Sequence, residues 1–143
     1  MLFGKRQRIV KRILIVEDEP LTAFDNENML TDAGYEVVAT IDTFEDAMEV
    51  LDREQVDLVL SDVRLRSQQS GIDLARAAKA KGIPTLFATG HPYPEAGLVA
   101  VGCLMKPYSE RQLKSALESV DRHLAGERVK PPKGLELFTD GQG

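Results

Sequence analysis

The sequence predicts an α/β fold in which a doubly wound parallel sheet of five strands is covered on both faces by helices. Three observations carry this. Short aliphatic or β-branched runs alternate with longer segments of helical period, the runs are apolar at nearly every position, and glycines or capping residues punctuate many of the changes between them. A strand that is apolar throughout is buried on both faces, as in a parallel sheet sandwiched between helix layers.

The elements follow in order. RILIV, Arg12 to Val16, is the first strand. Pro20 stands where a helix begins, a place that does not need its missing N–H, and Gly34 closes that helix. YEVVAT is the second strand. Thr43 then caps a helix with Asp46 three residues on, and Phe44, Ala47, Met48 and Leu51 fall at helical spacing. DLVLSD is the third strand, and GIDLARAAKAKG the third helix, stopped by Gly82 with Lys79 and Lys81 in the favourable last turn. PTLFAT and GCLM are the fourth and fifth strands. From Thr89 to Lys106 the chain holds Pro92, Pro94, Gly97 and Gly102, which require a helix that is short or irregular. Ser109 and Gln112 form a capping box for the last helix, whose Leu113, Ala116, Leu117, Val120 and Leu124 make one stripe. The organisation is therefore a basic N-terminal arm at 1–11, one domain at 12–125, and a Pro- and Gly-rich tail at 126–143.

Composition narrows the function classes. At 143 residues, 43% hydrophobic and 29% charged, the chain is long enough for one proper core. The net charge of −5 divides into +5 over the first twelve residues, from Lys5, Arg6, Arg8, Lys11 and Arg12, and −10 over the rest. An acidic body argues against general nucleic-acid binding, and the basic start reads as a solvated terminus. No apolar run approaches the roughly 18 residues of a membrane helix, and ILIV is too short for a secretory signal, so a cytoplasmic protein without membrane insertion is expected. The single Cys103 excludes an internal disulfide and a multi-cysteine zinc site, and reads as a buried small hydrophobe; His91 and His123 read as surface residues. Any metal must be held by oxygen.

Parallel sheets of this kind place their sites at the carboxyl ends of the strands. There the first strand runs into Glu17 and Asp18, the third into Asp62, the fourth into Thr89 and the fifth into Lys106 before Pro107. Two carboxylates about 4 Å apart repel by around 4 kcal/mol at an effective dielectric of about 20, so a cation must offset them. A lysine and a hard divalent ion both fit; Mg²⁺ commonly takes one or two carboxylates and shares a phosphate oxygen. Carboxylates, Mg²⁺, lysine and hydroxyl together describe phosphoryl transfer to an aspartate, with Asp62 as nucleophile. Taken singly, Glu17 and Asp18 are also explained as acids at a helix N-terminus, Asp62 as a cap, Thr89 as a turn residue and Lys106 as an exposed strand end. That four strands end in such residues outweighs the separate explanations.

ILIVEDE, LVLSD, FATG and MKPY, in that order on alternating strands, resemble the receiver domain of bacterial two-component response regulators, over about Ile13 to Leu124. The resemblance implies a flavodoxin-like sheet of strand order 2-1-3-4-5. It also implies Asp62 as phosphoacceptor, and Glu17, Asp18, Asp62 and the Arg64 backbone carbonyl around Mg²⁺. Thr89 would bond a phosphoryl oxygen, and Lys106 would pair with the phosphoryl group ahead of a cis bond to Pro107. Three departures stand out. Cys103 occupies the position of the family's aromatic switch, the stretch from Thr89 to Lys106 is short, and the loop VRLRSQQSG lacks the usual proline. PTLFATGHPY resembles the motif of the FAT GUY subgroup, which also lacks the switch aromatic, and Tyr93 becomes the switch candidate.

The expected function is a single-domain response regulator that accepts a phosphoryl group from a histidine kinase or histidine phosphotransfer protein and binds a downstream protein. The expected role is that of a phosphoacceptor, not of a turnover enzyme. The competing readings are a non-phosphorylated pseudo-receiver and an aspartyl-phosphate phosphatase, the latter opposed by the nucleophile's position on the third strand. A homodimer through the fourth and fifth elements, as in many receivers, is compatible with the sequence.

Overall fold

The computed structural model describes residues 7–65 and 68–139. Lys5 and Arg6 of the basic arm, Arg66 and Ser67 of the loop after Asp62, and residues 140–143 of the tail lie outside the described residues. Among the described residues four helices and six strands run β1 (Arg12–Val16), α1 (Pro20–Asp32), β2 (Glu36–Ile41), α2 (Phe44–Arg53), β3 (Leu58–Ser61), α3 (Gly71–Ala80), β4 (Thr85–Thr89), β5 (Gly102–Met105), α4 (Glu110–Leu124) and β6 (Leu135–Leu137). A 3₁₀ segment, Pro94–Leu98, takes the place of a helix between β4 and β5, as the prolines and glycines there require.

The sheet order is β2-β1-β3-β4-β5-β6, parallel through β5. Its central strands β1, β3 and β4 are buried on both faces. Ile13, Ile15, Leu58, Leu60, Leu86, Ala88 and Leu104 pack with Leu30 of α1 and with Leu113, Ala116, Leu117 and Val120 of α4. Leu14, Val16 and Val59 point the other way, against Ala47, Val50 and Leu51 of α2 and Leu74 and Ala78 of α3. Each large aliphatic side chain removed from water in these layers contributes about 1.5–3 kcal/mol before ordering costs. Two caps are those the sequence implies, Thr43 accepting from the Asp46 amide and the reciprocal capping box of Ser109 and Gln112, and Ser70 with Asp73 forms a further capping box at the start of α3.

Two expectations are corrected. The sheet has six strands, because part of the presumed tail returns to it: Leu135–Leu137 pair antiparallel with β5, covering the backbone groups that an edge strand would leave open. The solvated arm ends earlier than residue 11. Arg8 lies 4.3 Å over the Tyr35 ring, Val10 is buried, and the Ile9 and Val10 amides donate to the Asp121 carboxylate of α4 at 2.9 and 2.8 Å. Among the described residues no helix is long and apolar enough to cross a membrane.

Candidate functional site

The carboxyl edge of the sheet carries the candidate site, and the strand register assembles it. Val16 stands beside Ser61 in the β1–β3 pairing, so the next residues, Glu17 and Asp62, emerge side by side. The pairing is continued by the Glu17 amide donating to the Ile41 carbonyl at 2.8 Å and the Asp62 amide to the Val16 carbonyl at 3.0 Å. On the far side Thr89 faces Met105, and the Lys106 amide donates to the Thr89 carbonyl at 2.9 Å. Two strand spacings of about 4.8 Å separate β5 from β3, a gap that a long side chain such as lysine can span.

Lys106 makes that crossing. Its Nζ donates to Glu17 Oε1 at 3.1 Å and to Asp62 Oδ2 at 3.3 Å. Glu17 is the buried member, its side chain 2% exposed, whereas Asp62 retains 20%. Burial pushes the Glu17 carboxyl above its ordinary range, the bond and charge of Lys106 oppose this, and the Asp62 charge adds to it. For Lys106 desolvation works against the charged form, but the bonds and charges of Glu17 and Asp62 prevail and its pKa is raised. Glu17 therefore holds its proton longer chiefly because it is buried, and Lys106 because two carboxylates flank it; with three carboxylates against one ammonium, the site is short of positive charge.

Carboxylate oxygens of Glu17, Asp18 and Asp62 lie within 4.8 Å of one another, the grouping the sequence assigned to a metal. The donors are hard oxygens around a site short of positive charge, and they suit a small divalent cation such as Mg²⁺. Arg64, fourth in the sequence assignment, is placed beside them, its backbone N–H donating to Asp62 Oδ1 at 3.3 Å. Thr89 is 3% exposed and occupied: its hydroxyl donates to the His91 carbonyl at 3.0 Å and accepts from the His91 amide at 3.2 Å. The Lys106–Pro107 bond is cis.

Tyr93 sits apart from the carboxylates, half-buried, in a third cluster with Phe87, Ala96, Val99, Cys103 and Phe138. Cys103, expected to be a buried small hydrophobe, is only partly buried, with its thiol pushed up to about 11 by burial and the nearby Glu136.

Three supporting residues escaped sequence reasoning. Asn26 is 2% exposed and accepts from the Tyr108 hydroxyl at 2.8 Å, pinning the segment after Lys106 to α1; Tyr108 is pushed up to about 12, chiefly by burial. The signal was present, since Asn26 falls between Ala23 and Leu30 on the buried stripe of α1. Gly71 is the third: a Cβ there would stand 2.2 Å from the Asp62 carbonyl oxygen, so α3 begins hard against the backbone that presents Asp62.

Residues 13–118 match the response regulator receiver domain model. The transcriptional regulatory protein PdtaR of Mycobacterium tuberculosis is 33% identical over 118 residues, covering 77% of this chain and 56% of that protein. Among solved structures, the response regulator PhyR of Brucella abortus superposes with a TM-score of 0.68 at 31% identity, covering 84% of this chain and 51% of that one. The chemotaxis response regulator CheY4 of Vibrio cholerae gives 0.69 at 28%, covering 78% and 98%. This chain spans about half the length of the curated relatives it matches first.

Proposed function

Because this chain belongs to the response regulator receiver family, we propose that it is a phosphorylation-controlled signalling protein whose acceptor is Asp62. The observation that carries the reading is the bridge from Lys106 to both Glu17 and Asp62, which sets a partly exposed carboxylate beside a fixed cation and a buried acid.

In the proposed reaction an Asp62 carboxylate oxygen attacks the phosphorus of a phosphohistidine on a histidine kinase or phosphotransfer protein. The O–P bond forms as the N–P bond breaks, and the imidazole leaves with the electron pair. Lys106, already held at Asp62 Oδ2, is positioned to pair with the incoming phosphoryl oxygens. Thr89 would exchange its bonds to His91 for one to a phosphoryl oxygen. Glu17, Asp18, Asp62 and the Arg64 carbonyl would hold Mg²⁺, which when bound supplies the positive charge that this acidic cluster and a phosphoryl group require. Asp62 is consumed and regenerated, so the chain acts as acceptor and assists its own labelling and hydrolysis without serving an external substrate.

The donor meets the molecule beside this edge, where Leu21 and Phe24 on the first turns of α1 are 72% and 61% exposed. The readout is binding of a downstream protein, and Tyr93 is its first candidate sensor. Incubation with radiolabelled acetyl phosphate tests the reading. Acid-labile incorporation should require Mg²⁺ and vanish in Asp62→Asn; undiminished labelling of that variant would overturn the assignment, and no labelling of the unmodified chain would favour a pseudo-receiver.

A further inference from the structure

β5 ends the parallel part of the sheet, and residues 134–138 of the same chain lie along its outer edge. Leu104 stands opposite Leu135, Cys103 opposite Glu136, and Gly102 opposite Leu137. The Met105 amide donates to the Gly134 carbonyl and the Phe138 amide to the Val101 carbonyl, each at 2.8 Å, closing the ladder at both ends. The edge is shaped for this occupant: a Cβ at Gly102 would stand 2.5 Å from the Glu136 carbonyl oxygen. Leu135 and Leu137 enter the core cluster on the α4 side of the sheet, and Phe138 packs on the other side in the cluster of Tyr93 and Cys103. The occupant itself is short. It pairs over three residues and is joined to α4 by a connection without helix or strand that contains Pro131 and Pro132.

This edge is also joined to Thr89, at the end of β4 on the carboxyl edge of the sheet. A groove lined by Thr89, Tyr93, Pro94, Cys103, Met105 and Phe138 runs from the end of β4 to β6. At its near end the Thr89 hydroxyl holds His91 through two hydrogen bonds. At its far end the Phe138 ring lies over Gly97 of the same segment, 3.7 Å from where a Cβ would be. We infer that the β5 edge is a docking surface for an extended partner segment of pattern apolar–x–apolar–aromatic, antiparallel to β5, and that residues 134–138 are an internal copy of that ligand. Drawing Thr89 toward a phosphoryl oxygen frees His91, loosens the segment that seats Phe138, and releases the internal copy. An incoming strand then gains the main-chain bonds of β5 together with two aliphatic seats and one aromatic seat. This rests on Asp62 being the phosphoacceptor.

The test uses the full chain and a fluorescein-labelled peptide with the sequence of residues 132–139, read by anisotropy. Leu135→Asn with Phe138→Ala should bind the peptide with or without phosphodonor. The unmodified chain should bind about tenfold more tightly with beryllofluoride and Mg²⁺ than without them, and Asp62→Asn should show no such gain. In the unmodified chain without peptide, exchange at the Met105 and Phe138 amides should rise about tenfold with beryllofluoride, a readout that survives even if the double variant does not fold. No peptide binding by a folded double variant would overturn the surface. Unchanged exchange at Met105 and Phe138, in a chain that acetyl phosphate does label at Asp62, would overturn the coupling alone. Failed labelling with peptide binding intact would instead remove the phosphoacceptor reading and, with it, the coupling. A phosphodonor-dependent dimer with exchanged tails would overturn the heterologous partner in favour of a second copy.

Discussion

In Lys106→Met the ammonium that bridges Glu17 and Asp62 gives way to an apolar side chain of comparable length. Glu17 is then left with a side chain 2% exposed, its bonded cation gone and Asp62 beside it. At an effective dielectric of about 20, like charges about 4 Å apart repel by about 4 kcal/mol, but Glu17 has a cheaper escape, which is to take a proton. From an ordinary carboxyl value of 4.5, protonation at pH 7 costs about 1.4 kcal/mol per pH unit, or about 3.4 kcal/mol over the interval of about 2.5. That is a ceiling. The unmodified protein already pays part of it, since burial raises Glu17 even with Lys106 present, so the expected loss at pH 7 is about 2–3 kcal/mol. The sign follows from linkage. A carboxyl whose folded pKa lies above its unfolded one binds its proton more readily when folded, so stability is greatest below the unfolded value and is lost as pH rises through the folded one. At pH 5 the ceiling falls to about 0.7 kcal/mol. Thermal melts of metal-free protein should therefore show a deficit of roughly 7–10 °C at pH 7 that shrinks to roughly 3 °C at pH 5, at about 3–4 °C per kcal/mol for a chain of this size. Saturating Mg²⁺ should recover part of the pH 7 deficit. A deficit equal at both pH values would refute the reasoning and make Lys106 a packing residue.

Asp18→Asn should weaken Mg²⁺ binding in a titration, because it removes one of the three carboxylates grouped for the ion; unchanged binding would remove Asp18 from the set of ligands. Asp121→Ala should cost about 2–4 kcal/mol, since it leaves the Ile9 and Val10 amides without their acceptor; denaturant melts measure the loss, and exchange confined to residues 9 and 10 should locate it. Beryllofluoride with Mg²⁺ should change amide exchange across residues 90–101, and Tyr93→Ala should weaken downstream binding; unchanged exchange there beside clear changes near Asp62 would remove Tyr93 as the sensor.

The four motif segments were legible because each is a local pattern: an apolar run followed at once by a polar residue. Register then does the rest, which is why Glu17, Asp62 and Lys106 meet as expected although 89 positions separate the first from the last. What stayed illegible depends on partners far away in the chain. Leu135–Leu137 is too short a run to mark a strand, and only the open edge of β5 makes it one. Arg8 reads as arm because nothing near it announces Tyr35, and Asp121 reads as a solvated helix residue because its ligands are two amides 111 and 112 positions back. Asn26 was accessible in principle, since a polar residue on an apolar stripe asks for a buried donor.

A strand buried on both faces has little polarity to hold its register, because a one-residue slip exchanges one apolar layer for another. β3 solves this at its ends. At its start Asp57 accepts the Lys11 and Arg12 amides, each at 2.9 Å, and donates its own amide to the Arg12 carbonyl at 2.8 Å. Past its end Asp62 donates its amide to the Val16 carbonyl and receives Lys106. Between them lie only Leu58, Val59, Leu60 and Ser61, each 1% exposed or less. A slip in either direction would draw one of the two carboxylates into that layer, where an unpaired charge costs several kcal/mol. The strand therefore ends in a carboxylate for a reason that precedes any chemistry: the two acids fix where the apolar run sits. Fixing it also fixes Asp62 at the height of Glu17 and within reach of Lys106, so the residue that sets the register is the one the site can use.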